Sequence, residues 1–183
     1  MARLCRDALM EGSLMNTLTY QRLQTPFGDL LVVASGDALT GVYFDRQKYF
    51  PAIGADWRED DRSPLLRAAC AQLDDYFAGA LAEFDLPLAP AGTPFQRGVW
   101  AAIATVPIGE TISYGTLAAR AGAAGSARAA GAATGRNPLS IIVPCHRIVG
   151  TNGDLTGYAG GLERKRALLD FERARRAPSQ RAA

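Results

Sequence analysis

The stretch 113-SYGTLAARAGAAGSARAAGAATG-135 decides the architecture of the second half of the chain. It predicts a short helix from about Ser113 to Arg120, a break at Gly122 to Gly125, a cap at Ser126 and a second helix over 127–135. Two short helices across a glycine-containing turn make a helix-turn-helix. The second helix is almost all alanine and glycine, with Arg128 as the one long side chain at its start. Such a helix either packs tightly against a partner helix or lets another backbone, such as a DNA groove, come close. Composition leaves both open.

The neighbouring segments extend the pattern. Thr93-Pro94-Phe95-Gln96 has the form of a capping box, with Thr93 as cap and Gln96 at N3, and Phe95, Val99 and Ile103 follow on one face. Pro107–Gly109 reads as a turn. A final helix is expected from near Gly161 to about Arg176, with Leu168 and Leu169 on its apolar face. Upstream, 86-LPLAPAG-92 carries two prolines and a glycine and is the best boundary candidate. Before it, 25-TPFGDLLVVASGDALTGVYFD-45 reads as a hairpin around Ser35-Gly36-Asp37. Ser63-Pro64 caps a helix whose apolar stripe is Leu66, Ala69, Cys70, Leu73 and Phe77. The expected fold is therefore an α/β N-terminal domain, an antiparallel hairpin sheet plus a helix, followed by a mainly α domain with a helix-turn-helix. The boundaries are 16–90 and 91–176, with residues 1–15 as a disordered leader or alternative start (Met10, Met15) and 177–183 as a tail.

Bulk properties narrow the classes. Among 183 residues, 48% are hydrophobic and 21% charged, an ordinary globular balance. No apolar run approaches the roughly 18 residues that span a bilayer, and Arg3, Arg6, Asp7 and Glu11 interrupt any signal-peptide core. Cysteines at 5, 70 and 145 form no disulfide framework, which points to the reducing cytoplasm. The net charge of +2 hides an asymmetry. Residues 1–92 hold 8 Lys/Arg against 13 Asp/Glu, a balance of −5; residues 93–183 hold 12 against 5, a balance of +7. The basic half suits either a polyanion partner or a plain solvated surface.

The chemistry concentrates in 141-IIVPCHRIVG-150. Ile141 to Val143 read as a buried strand that Pro144 ends, leaving Cys145 beside the chain's only histidine, His146. Cys145 is then either a small core residue or an activated thiol. An ordinary thiol is only roughly 3% thiolate at pH 7, and the thiolate is the nucleophile. A histidine held by a carboxylate supplies the missing base. Adjacent side chains of an extended backbone diverge, so His146 needs a turn or a water to serve the sulfur. Glu172 shares the face of Leu168 and Leu169. It is either an exposed helix end or the partner of His146. No Cys-x-x-Cys or His-x-x-x-His pairing supports a metal, and no phosphate-cradling glycine motif supports a nucleotide cofactor.

The run 137-NPLSIIVPCHRIVG-150, followed by 155-LTGYAGGLERKRALL-169, closely resembles the O6-alkylguanine-DNA alkyltransferases, the methylated-DNA–protein-cysteine methyltransferases, and the similarity extends from Thr25 to Glu172. The resemblance implies a single-turnover DNA repair protein without cofactor or metal. It would flip an O6-alkylguanine, or an O4-alkylthymine, out of double-stranded DNA and keep the alkyl group on Cys145. His146 would be the base, through a bridging water, with Glu172 orienting it and Asn137 tying the turn before the cysteine. Tyr114 would donate to the departing guanine and crowd the phosphate. Arg128 would fill the vacated stack, and Ser113, Ala127, Ala129, Ala130, Gly131 and Arg136 would lie at the DNA, in the minor groove. Tyr158 would wall the alkyl pocket, with Ile148 and Ala159 offering backbone contacts to the base. The implied state is a monomer, with cooperative binding along DNA left open. Some relatives carry zinc in the first domain; with no histidine before residue 146, that site is expected to be missing. A Cys-His hydrolase would need turnover and an oxyanion hole, and a lesion sensor would have no use for the cysteine.

Overall fold

The computed structural model describes residues 17–176; the leader with Cys5, Met10 and Met15, and the tail 177–183, lie outside the described residues. The chain divides into two compact units. One holds residues up to Asp45 with Phe50–Ala91, and the other holds Arg46–Tyr49 with residues from Gly92 onward.

In the first unit, β1 (Leu18–Leu23), β2 (Leu30–Ser35), β3 (Ala38–Phe44) and β4 (Arg58–Glu59) form a sheet of order β3-β2-β1-β4. The β1–β2 and β2–β3 pairs are antiparallel and β4 runs parallel to β1. The expected hairpin turns at Gly36, whose φ of 55° suits a residue without Cβ. Helix α1 (Pro64–Ala78) starts as its sequence predicts, with Ser63 Oγ accepting from Leu66 N at 3.4 Å and proline in its first turn. Its buried stripe is Leu66, Ala69, Cys70, Leu73 and Tyr76. Tyr76, on the edge of the stripe beside Ala69, is fully buried and packs its ring 5.7 Å from Phe84, whereas the expected Phe77 is not fully buried. Phe77, half-buried, instead lies 5.7 Å from the Phe27 ring. Burial, then the nearby Asp74 charge, pushes the Cys70 thiol up to about 11, so this cysteine is an inert core group.

The segment 86–92 is more than a linker. Phe84, Leu86 and Leu88 are buried in alternation, and Leu88 forms a parallel bridge with Leu39 through Leu39 N to Pro87 O and Ala89 N to Leu39 O, both 2.8 Å. Its prolines sit where no ladder donor is needed, and the unit ends at Ala91.

The second unit contains α2 (Pro94–Ala104), β5 (Ile112–Ser113), α3 (Tyr114–Arg120), α4 (Ala127–Gly135), β6 (Ile148–Val149) and α5 (Leu162–Arg176). The capping box of Thr93 and Gln96 forms in both directions, at 3.2 and 2.8 Å. Val99, Trp100 and Ile103 are buried, while Phe95 in the first turn is 40% exposed, off the stripe expected for it. Ser126 precedes α4, yet its side chain makes no cap bond. Helices α3 and α4 pack on each other and both pack on α2. Trp100 Nε1 donates to Ala133 O at 2.9 Å, fixing α4 to α2.

Residues 141–143 are a tight turn, not the expected strand. Ile142 N donates to Ser140 O and Val143 N to Leu139 O, both at 2.9 Å, and Ile141 has φ of 72°. A β-branched residue in that region is strained by about 1–3 kcal/mol, so the surroundings must over-determine it. The strand comes later: β6 pairs parallel with β5, Ile112 beside Ile148 and Ser113 beside Val149. Among the described residues, no helix is long and apolar enough to cross a membrane.

Candidate active site

The turn before the cysteine is built by one side chain. Asn137, 4% exposed, accepts from Leu139 N at 3.0 Å and donates through Nδ2 to Val143 O at 2.8 Å and Cys145 Sγ at 3.1 Å. Its amide closes the turn and marks the position of the sulfur in one step. Cys145 to Arg147 then form a single 3₁₀ turn, with Arg147 N donating to Pro144 O at 2.9 Å. This turn sends His146 toward α5.

Helix α5 buries Lys165, Leu168, Leu169 and Glu172, an i, i+3, i+4, i+7 stripe. The exposed-end alternative for Glu172 is thereby excluded: its side chain is 0% exposed. Glu172 meets His146 Nε2 at 2.9 Å, and accepts from Gly109 N at 3.0 Å and from Arg147 Nε and Nη2 at 2.9 and 2.7 Å. Arg147 Nη1 also donates to Val106 O. Burial alone would raise the Glu172 carboxyl, but the His146 and Arg147 bonds and charges overcome it and hold it well below the usual carboxylate range. An anionic Glu172 assigns the proton of His146 to Nε2. Burial lowers His146 against the pull of Glu172, so the imidazole rests neutral. Its Nδ1 is buried without a hydrogen-bond partner among the described residues. An unpaired buried acceptor costs about 1–3 kcal/mol, and this one has a free lone pair beside a thiol-bearing residue.

Cys145 is 4% exposed. Burial pushes its thiol up, while the Asn137 bond, the Lys165 charge and backbone bonds from Cys145 and His146 pull it down. The net direction is upward, so the sulfur rests as a thiol. The parts that would stabilise an anion surround it, but burial outweighs them.

Lys165 is the group that the motif did not single out. It is fully buried, and Nζ donates to Ile148 O at 2.6 Å, Thr156 O at 2.7 Å and Gly157 O at 3.4 Å. Burial lowers it to about 8, against the influence of Cys145. Its signal was available, since position 165 is three residues before Leu168 on the apolar stripe. Tyr114 lies across the same loop: its hydroxyl donates to Thr156 O at 3.1 Å or Gly157 O at 3.2 Å, and its ring centroid is 5.8 Å from Lys165 Nζ. Burial raises the phenol. Tyr158 presents its ring edge-on to His146, with centroids 6.5 Å apart.

The remaining predicted residues divide. On α4, Arg128 and Ala129 are exposed, with Ala132 and the capping Arg136, while Ala127 and Gly131 are half-buried. Ala130 is 0% exposed and belongs to the packed face with Ala133 and Thr134, which corrects its expected place in a groove. Gly131 faces the Tyr114 ring, where an added Cβ would lie 3.5 Å away. Ser113 Oγ caps α3, accepting from Thr116 N at 3.1 Å. The carbonyls of Ile148 and Ala159 already accept from Lys165 and from Lys48 N, leaving one lone pair each for any base. Among the described residues, no group of three or more His, Cys, Asp or Glu is placed to hold a metal ion.

Two family profiles cover most of the chain. Residues 94–174 match the DNA-binding domain of 6-O-methylguanine DNA methyltransferase, and residues 18–90 match its ribonuclease-like domain. The chain belongs to the 6-O-methylguanine DNA methyltransferase family. It is 47% identical over 156 residues to a methylated-DNA–protein-cysteine methyltransferase of Mycobacterium tuberculosis, covering 85% of this chain and 93% of that protein. The corresponding protein of Methanosarcina acetivorans is 44% identical over 153 residues, covering 84% and 97%. Among solved structures, Mycobacterium tuberculosis OGT in complex with DNA matches with a TM-score of 0.79 at 46% identity, over 86% of this chain and 94% of that one. Family membership fits the fold, an antiparallel-hairpin sheet with one helix followed by a helical unit with a helix-turn-helix.

Proposed function

We propose that this chain is a methylated-DNA–protein-cysteine methyltransferase of the cytoplasm that repairs double-stranded DNA by moving the alkyl group of O6-alkylguanine to Cys145, once per molecule. One observation carries the reading: Asn137 holds the Cys145 sulfur at 3.1 Å, beside a histidine whose Nε2 is committed to Glu172 and whose Nδ1 lone pair is free. The thiol proton passes to Nδ1, through one water where direct contact is lacking. The sulfur attacks the alkyl carbon, an S–C bond forms, and the C–O bond to the base breaks. Tyr114, whose raised phenol keeps its proton, supplies the proton to the leaving guanine. The thioether has no good leaving group, so the transfer ends the protein's service. O4-alkylthymine presents the same O-alkyl bond and is the second substrate.

Reaching a base inside a duplex requires extruding it, at a few kcal/mol. The exposed stripe of α4 suits that task in a minor groove: Arg128 reaches into the stack while Ala129 and Ala132 permit close approach. Ser113 and Arg136 flank it, and the protein binds as a monomer. The DNA complex of the mycobacterial relative supports the partner. The working division is residues 16–90 as an α/β domain and 91–176 as the DNA-binding and acceptor domain.

The test is intact-mass spectrometry after incubation with O6-methylguanine duplex. The expected result is a gain of about 14 Da, one methylene, on the peptide carrying Cys145, stoichiometric with protein, and no gain in Cys145→Ala. Repair of many lesions per molecule, or methyl loss from DNA by Cys145→Ala, overturns the reading.

A further inference from the structure

A segment of the first half of the chain is built into the acceptor site. Residues Arg46–Tyr49 group with the second unit, although β3 before them and Phe50 after them group with the first. Both ends of the segment are strained, with φ of 58° at Arg46 and 65° at Tyr49, a conformation that L side chains keep only when the surroundings enforce it. Three attachments enforce it. Gln47, 6% exposed, accepts at Oε1 from Ser140 Oγ at 3.2 Å. Lys48 N donates to Ala159 O at 2.8 Å. The Arg136 guanidinium lies 3.9 Å from the Tyr49 ring centroid.

Each attachment lies next to a site group. Ser140 belongs to the strained turn between Asn137 and Cys145. Arg136 precedes Asn137. Ala159 follows Tyr158 in the loop 150–161, which holds glycines at 150, 153, 157, 160 and 161. That loop is pinned before Tyr158 by Tyr114 and Lys165, which bind the Thr156 and Gly157 carbonyls. Just after Tyr158, the bond from Lys48 N pins it again. Tyr158 is therefore clamped between two anchors, and the second is the 46–49 strap.

We propose that residues 46–49 are a positioning strap that fixes the distance between the Tyr158–Ala159 wall and the Cys145 turn, and so sets which O6-substituents the pocket accepts. The inference rests on Cys145 being the acceptor. Gln47 and Tyr49 touch no reacting atom; they act through Ser140, Ala159 and Arg136.

The test compares single-turnover rates on O6-methylguanine and O6-benzylguanine in the full chain, for wild type, Gln47→Ala and Tyr49→Gly, with thermal midpoints recorded alongside. Glycine at 49 accepts the positive φ without strain and removes the contact with Arg136, so this variant folds while loosening the strap. The benzyl-to-methyl rate ratio is expected to shift at least fivefold in Gln47→Ala, and in the same direction in Tyr49→Gly, out of proportion to any change in midpoint. An unchanged ratio in both variants, whether the two rates hold or fall together, overturns the strap. The acceptor assignment is read separately in wild type: methyl mapped to Cys145 keeps it whatever the variants do, and methyl mapped elsewhere overturns it and the strap together.

Discussion

Glu172→Gln probes the site at its most constrained atom pair. The carboxylate meets His146 Nε2 and accepts from Arg147 and Gly109 N, with no exposure to water. Glutamine is nearly isosteric, yet its amide nitrogen must face one of these donors. Arg147 becomes a buried cation without its anion. Breaking a buried pair in this way costs about 3–5 kcal/mol, read as a lower midpoint in a denaturant titration at unchanged slope. The pH dependence gives an independent signature. The folded carboxyl is depressed below its unfolded value near 4.3, so its stabilisation is fully present above that pH. It is lost as pH falls toward the folded value. The gap between wild type and Glu172→Gln is therefore widest at neutral pH and narrows below about pH 4. Loss of the carboxylate also removes the group that orients His146, and transfer should slow about 100-fold or more, the lower edge of general-base contributions. A variant within about 1 kcal/mol of wild type, transferring methyl at the wild-type rate, would refute both the ion-pair and the base assignments.

Other consequences are as direct. Arg128→Ala should slow repair of a paired lesion at least tenfold more than reaction with the free alkylated base, measured in parallel single-turnover assays; equal slowing would count against extrusion. Lys165, lowered to about 8, binds fewer protons than the unfolded chain between that pH and about 10.4, so wild-type stability should climb across this interval. In Lys165→Met the climb should vanish, and identical pH curves for both proteins would remove the buried ammonium from the account. Asn137→Ala leaves Leu139 N unpaired and Val143 O with the Cys145 N bond alone, and should cost about 1–3 kcal/mol, with slower alkylation of Cys145 by iodoacetamide; an unaffected thiol would show that the amide does not position the sulfur.

Features legible in the sequence were those whose causes lie within a few residues. Thr93 and Gln96 cap each other, Ser63 and Pro64 open α1, and Gly36 turns the hairpin, all through contacts spanning three residues or fewer. Ile141 to Val143 read as a strand because apolar β-branched residues favour one, while the turn they adopt depends on the Asn137 side chain. Glu172 was ambiguous for a similar reason. The groups that bury it, Arg147 and Gly109 N, come from 25 and 63 residues away. Lys165 was hidden in a run of charges, Glu-Arg-Lys-Arg, that reads as a solvated face; only its phase with Leu168 and Leu169 separates it from Arg164 and Arg166. The state of the thiol stayed open between core residue and activated group because motif chemistry counts the groups that favour an anion, whereas burial of the sulfur is a property of the whole unit.

Lys165 and Glu172 stand seven residues apart on α5, two turns and roughly 10.5 Å along its axis. One supports the loop that carries Tyr158, and the other holds the imidazole. A single residue inserted between them would rotate one charge by about 100° and lift it 1.5 Å, stranding it in the wrong surroundings. The helix thus works as a gauge block: its side chains can drift wherever they face water, but the interval between these two ionic groups is a length that evolution can change only by whole repeats.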